Sequence, residues 1–305
     1  MTRTALTTLG LLPEGASLEM LSQISTWAEG PVWLPDRQSL RWSDIKGDRI
    51  LEWSWASRET TIYKSGVEFT NGRILDHDGS VLQCSHGRRR VERDRDGVVT
   101  PVVEQWQGHR FNSPNDIVVA RDGAIWFTDP DYGITQPLEG HPGELEYGDH
   151  WVFRVARPAP GAASEAVPIV RDAVRPNGLA FSPDESVLYV VDSDGHERLI
   201  RAYDVAPGRG ETAETPVATG CRVFATPRPG GPDGIRVDER GNVWSSCGGG
   251  VVVYSPQGDE LGRIEVPEVT ANLCFGGPDG TTLFVTATTG LYRIETLTRD
   301  AHLPR

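Results

Sequence analysis

One pattern recurs six times along the chain: a polar residue, a short apolar run, a tight turn rich in Asp, Gly and Pro, and a second β-branched or aromatic run. The six segments open at Glu29, Asn71, Asn115, Asn177, Asp233 and Asn272, and the turn position follows seven residues later each time, at Asp36, Asp78, Asp122, Asp184, Arg240 and Asp279. Two such runs joined across a tight turn read as a β-hairpin. Successive openings lie 42, 44, 62, 56 and 39 residues apart, room each time for four short strands. The second half of the unit carries hairpin signals of its own, with Asp96-Gly97 and Gln257-Gly258 between alternating runs. A supersecondary unit repeating at this period is the signature of a propeller. The expected architecture is therefore all-β: one six-bladed β-propeller domain of four-stranded antiparallel blades over residues 1–305. After the sixth opening hairpin too few strands remain for a full blade, so the N-terminal segment around Leu18 to Ile24 is expected to supply the missing outer strand and close the ring. The longest interval holds a Gly-, Pro- and Glu-rich insertion, residues 131–150, long enough to overhang a site at one end of the ring.

Composition narrows the partners. Acidic residues number 43 against 30 basic ones, a net charge of −13, which opposes binding to nucleic acid or to an anionic membrane surface. The basic run Arg88-Arg89-Arg90 sits among acidic neighbours and reads as a solvated strand or hairpin. No apolar stretch reaches the length of a membrane span. The N-terminus shows no clear cleavage pattern, so a cytoplasmic location is expected, with export left open. Cys84, Cys221, Cys247 and Cys274 are far apart and form no CxxC pair, which argues against a zinc module or a dithiol redox centre.

In a propeller, equivalent positions of successive blades lie on a circle about the axis. The six opening residues should therefore converge at one end of the central channel. They comprise two carboxylates and four amides, with no Cys or His. Hard oxygen donors of this kind suit Ca²⁺, or Mg²⁺ or Mn²⁺ with more water, with Zn²⁺ only as a substitute. Asn71 and Asn272 are read as turn caps. The chain has no GxSxG elbow, HExxH or Walker loop.

Several ordered blocks now carry a resemblance: EGPVW at 29–33, RFNSPNDIVV at 110–119 with WFTDPDYG at 126–133, RPNGLAFSPD at 175–184, GPDGIRVDERGNVW at 231–244, and NLCFGG at 272–277. Over residues 20 to 295 the chain resembles the senescence marker protein, gluconolactonase and luciferin-regenerating-enzyme family of six-bladed propellers, and its CSHGRRRV stretch at 84–91 is similar to the bacterial gluconolactonase type. The resemblance implies a single divalent cation, usually calcium, in the channel. The family's Glu falls on Glu29, its PNG Asn on Asn177 and its PDG Asp on Asp233. Its blade-three Asn falls on Asn112 or Asn115, because a contiguous RFND is here RFNSPND; the seven-residue spacing favours Asn115.

The implied activity is hydrolysis of a sugar lactone such as glucono-1,5-lactone to the aldonic acid. Catalysis is assigned to Asp233 and Asn115, with Asp233 as the base and Asp116 as the second choice. Arg110, Asn112, His86 and Tyr132 are candidate substrate contacts. Two other readings stay open: hydrolysis of aryl esters or organophosphates at the same site, and a non-catalytic propeller that binds a partner on its face.

Overall fold

Each opening residue stands at the head of an innermost strand. A computed structural model describes residues 4–157, 165–194, 197–208 and 215–302. It contains six four-stranded antiparallel sheets, whose first strands are Ala28–Leu34, Thr70–Leu75, Ile117–Val119, Pro176–Phe181, Ile235–Val237 and Thr270–Gly276. They ring a central channel as the blades of a six-bladed β-propeller. In five blades the four strands follow one another in sequence. In the sixth, Glu19–Ser22 forms the outer edge, pairing antiparallel with Gly290–Glu295 through Glu19↔Arg293 and Met20↔Tyr292. The segment expected to close the ring therefore does so.

Alternating strand positions turn apolar side chains between neighbouring blades. Large apolar clusters fill the junctions between blades two and three, three and four, four and five, five and six, and six and one. The junction between blades one and two holds a smaller cluster of Val32, Leu34 and Val81. There the buried Arg73 donates from Nη2 to Ser43 Oγ at 2.8 Å.

The innermost strands approach one another closely around the axis. In four of the six units the opening residue is followed by glycine: Gly30, Gly72, Gly178 and Gly234. A Cβ on any of them would fall less than 3 Å from the next blade, striking the carbonyls of Asn71, Asn115 and Asp233 and the side chain of Asn272 in turn. Three of these glycines also donate across the junction: Gly72 N to Asn115 O at 2.8 Å, Gly178 N to Asp233 O at 3.1 Å, and Gly234 N to Ala271 O at 2.8 Å. The pairing register shifts beside the opening residue in blades one, two, four and six. Such bulges re-aim a side chain out of the pleat.

The insertion joins the second and third strands of blade three, Ile125–Asp129 and Trp151–Val155, and begins with a short helix, Tyr132–Thr135. Its returning end is anchored by Tyr147, whose ring stacks on Trp151 at 4.7 Å between centroids. All four cysteines are free, and three are buried. No helix among the described residues is long and apolar enough to cross a membrane.

The N-terminal arm seals more than an edge. Leu6, Leu11 and Leu12 insert into the cluster between blades five and six, with Leu6 fully buried. Leu6→Ala is expected to cost about 3 kcal/mol through lost burial and the cavity left behind. Chemical denaturation of the purified protein measures it, and an unchanged midpoint would show that the arm does not contribute to the core.

Candidate active site

At one end of the channel five of the six opening residues line a pocket of about 480 Å³, and Asn272 lies behind Glu29. Glu29, Asn71, Asn115, Asn177 and Asp233 form its floor. Tyr132, Gln136 and Glu139 come from the insertion, and Trp27, Arg175, Ser193 and Arg198 stand around the wall. A pocket built from ring-related positions gathers groups that lie more than 200 residues apart in the chain.

Glu29 is 4% exposed; its Oε2 accepts from Gly30 N at 2.9 Å and from Asn272 Nδ2 at 3.1 Å. Burial, followed by the charge of Asp233, pushes its pKa well above the usual carboxylate range. Asp233 is raised to about 7, first by burial and then by the charges of Asp116 and Glu139, against the opposing pull of Asn177 and Arg198. Two neighbouring acids, each raised by burial and by other carboxylates, form a site that favours added positive charge.

Asn71 and Asn272 support this floor rather than only capping turns. Asn272 orients Glu29, and its Oδ1 accepts from Leu273 N at 2.8 Å. Asn71 Nδ2 lies 3.3 Å from His86 Nε2, while His86 Nδ1 lies 2.8 Å from Glu139 O. Burial lowers the His86 pKa to about 4, so the ring is neutral. The carbonyl must receive the Nδ1 proton, and Nε2 then accepts from the Asn71 amide, turning Asn71 Oδ1 the other way.

The expected substrate contacts separate in space. Tyr132 faces the pocket; its hydroxyl bonds Ser193 Oγ at 2.5 Å, and the Arg175 guanidinium lies 4.0 Å over its ring. His86 lies behind Asn71. Asn112 is fully buried outside the pocket lining, donating from Nδ2 to Asp129 O, Tyr147 Oη and Asp149 O. That geometry anchors the insertion. Arg110 is exposed on a two-residue strand, its backbone N donating to Glu146 Oε2 at 2.7 Å, and lies outside the pocket lining.

Asp116 also lies outside that lining. It is 1% exposed and holds an ion pair with the 3%-exposed Arg236 at 3.7 Å. Asp116 Oδ2 and Arg236 Nη2 have no hydrogen-bond partner. Arg236 reaches in from the far end of the channel, where it borders a second pocket of about 90 Å³. The pair thus sits as a buried plug beneath the acid floor. Sequence reasoning found Asp116 but missed Glu139, Gln136 and Arg198, which belong to no repeated position, and Arg236, which stands three residues after the opening Asp233 where the other five units carry an apolar residue.

Among the described residues no three His, Cys, Asp or Glu side chains gather into a metal-binding group. The floor is of another kind, two carboxylates with amides. Its donors are hard oxygens, so the residues fit a divalent ion such as calcium.

The fold and this floor define a class: six-bladed propellers with an acid and amide pocket on the axis. The profile of the SMP-30/Gluconolactonase/LRE-like region matches residues 27–289, and the chain belongs to that family. It is 31% identical to a gluconolactonase of Zymomonas mobilis, over 94% of this chain and 83% of that one. It is also 31% identical to a pentonolactonase of Haloferax volcanii, over 86% and 81%. The solved structure of a Xanthomonas campestris gluconolactonase is 36% identical and superposes with a TM-score of 0.86, covering 97% of this chain and 93% of that one.

Two outcomes follow from the electrostatics. Removing one member of a buried ion pair leaves the other uncompensated, a loss of about 3–5 kcal/mol. Arg236→Met should therefore be strongly destabilising, and Asp116→Asn in the same chain should recover part of the loss; additive losses in denaturant unfolding would show the two residues to be uncoupled. The second outcome concerns Asp233. Its folded pKa of about 7 exceeds the ordinary 3.8, so between those values the metal-free folded state holds more protons than the unfolded state, and stability falls as pH rises. Asp233→Asn should gain stability over wild type at pH 7.5 in EDTA and lose that advantage at pH 4.5. An equal difference at both pH values would contradict the raised pKa.

Proposed function

We propose that this protein is a divalent-cation-dependent lactonase, a hydrolase of ester bonds that opens a sugar lactone such as glucono-1,5-lactone to its aldonic acid. The observation that carries the reading is the pair of raised carboxylates on the propeller axis, the buried Glu29 and the half-buried Asp233. The relatives named as gluconolactonase and pentonolactonase support the reaction class. The polar wall of the pocket, with Tyr132, Gln136, Glu139, Ser193 and Arg198, suits a polyhydroxylated ring better than an aryl ester.

Glu29, Asn115, Asn177 and Asp233 would hold the cation. Bound there, it would supply Lewis-acid polarisation of the lactone carbonyl and charge stabilisation of the developing oxyanion. The remaining tasks fall to the chain. Asp233 takes a proton from the attacking water as the water oxygen bonds to the carbonyl carbon; the ring C–O bond then breaks, and the proton is returned to the departing ring oxygen as a hydroxyl. Asp116, committed to Arg236 below the floor, is less well disposed to act as base. Tyr132 is held by Ser193 and Arg175, which fixes its hydroxyl before substrate arrives.

Glu29→Gln and Asp233→Asn are each expected to lose turnover by at least about 100-fold together with calcium binding. The assay is hydrolysis of glucono, galactono, xylono and arabino lactones and paraoxon, with chelator and metal add-back, alongside calorimetric calcium titration. Full turnover by a metal-free Asp233→Asn protein would overturn the mechanism, and paraoxon as the preferred substrate would overturn the sugar-lactone assignment.

A further inference from the structure

The insertion brings a carboxylate to the pocket that the proposed chemistry does not use. Glu139 lines the pocket opposite the acid floor, with its side chain 17% exposed. It is anchored twice to other blades. Its carbonyl accepts from His86 Nδ1 at 2.8 Å, and its Oε1 pairs with Lys46 Nζ at 3.4 Å. Lys46 in turn lies 4.6 Å over the ring of Trp27, which also lines the pocket. Further ties hold the insertion in place: His141 Nε2 with Glu68 Oε2 at 2.8 Å, and Arg175 Nη2 with Asp131 Oδ1 at 2.6 Å.

A carboxylate only accepts hydrogen bonds when ionised, and its two oxygens can take two neighbouring hydroxyl protons at once. An aromatic ring beside it offers an apolar face to C–H bonds. The two together match a saturated ring with hydroxyls on adjacent carbons. The backbone bond to His86 fixes the Glu139 main chain, and Lys46 fixes its side chain, so the acceptor is ordered before a ligand arrives. Preorganisation of this kind adds to affinity by lowering the ordering cost of binding.

We propose that Glu139 is a specificity-determining residue that receives vicinal hydroxyls of the substrate ring, with Lys46 as its positioning partner. Polyol selectivity is then set by the insertion, while the reaction is carried out on the axial floor. The inference deepens the lactonase reading and rests on it for the reacting end of the ring alone.

The test separates the two. The probe is 1,5-anhydroglucitol, a ring with the same hydroxyls and no carbonyl, titrated calorimetrically into the calcium-loaded full-length protein. Wild type is expected to bind it. Glu139→Gln, isosteric and still able to fold in place, should weaken binding roughly 10- to 100-fold, the loss expected for a charge-assisted acceptor. Lys46→Met should weaken binding less, Lys46→Arg should restore it, and the Lys46→Met/Glu139→Gln double variant should bind no worse than Glu139→Gln alone. In turnover assays Glu139→Gln should raise KM for glucono-1,5-lactone by a similar factor. Equal affinity of wild type and Glu139→Gln for the probe, or no binding by wild type, would overturn the proposal even if lactones are hydrolysed. Glu139-dependent binding without hydrolysis of any lactone would leave it standing and remove the lactonase reading.

Discussion

The close approach of innermost strands around the axis governs the rest of the structure. Where Gly30, Gly72, Gly178 and Gly234 meet the next blade, backbone touches backbone and leaves no room for a Cβ. A β-bulge beside the opening residue in blades one, two and four, where it coincides with three of these contacts, turns that residue's side chain out of the pleat. Packing and function are thus joined at one dipeptide: the glycine sets how tightly the ring closes, and the residue before it becomes a wall of the pocket. A wider ring would loosen both.

Two units break the glycine rule. Asn272 is followed by Leu273, which is fully buried in the core between blades five and six. Asn115 is followed by Asp116, and this departure matters more. It introduces a third carboxylate close enough to raise both Glu29 and Asp233. Three acids gathered in one channel, two of them buried, are costly without positive charge, and Arg236 supplies it to Asp116 from below. The guanidinium is kept off the pocket floor, so it offsets Asp116 without occupying the place of a cation. The fixed charge offsets the lower layer, and the upper layer of Glu29 and Asp233 is left facing the pocket.

Most of the fold was legible because a propeller repeats its rules. Seven-residue spacing from Glu29 to Asp36, and from each later opening to its turn, marks the same hairpin six times, and the shortage of strands after Asn272 pointed to the segment around Leu18 to Ile24, within which Glu19–Ser22 forms the strand. The floor was legible for the same reason, since equivalent positions must meet on the axis. Contacts outside the repeat were not. Arg110 and Asn112 stand near Asn115 in sequence, yet Asn112 is spent on Asp129, Tyr147 and Asp149, and Arg110 is turned to solvent. Proximity along the chain carries little information where a strand end and a bulge redirect successive side chains. Glu139 and Lys46 lie 93 residues apart and in no repeated position, so only three-dimensional structure brings them together.

This difference in legibility matches a division of labour. The floor is made by the ring, and any change there disturbs blade closure as well as chemistry; Asn71, Asn115 and Asp233 all contribute carbonyls to the inter-blade contacts. The roof is made by one insertion fastened at its edges by Lys46–Glu139, His141–Glu68, Arg175–Asp131 and Tyr132–Ser193. Its pocket-facing groups can be exchanged without touching an innermost strand. A propeller arranged this way can keep one reaction on the axis while the ring it accepts is reset from above. The physical condition for that separation is the rigidity of the fastening, because a mobile carboxylate at position 139 would lose in ordering what it gained in contact.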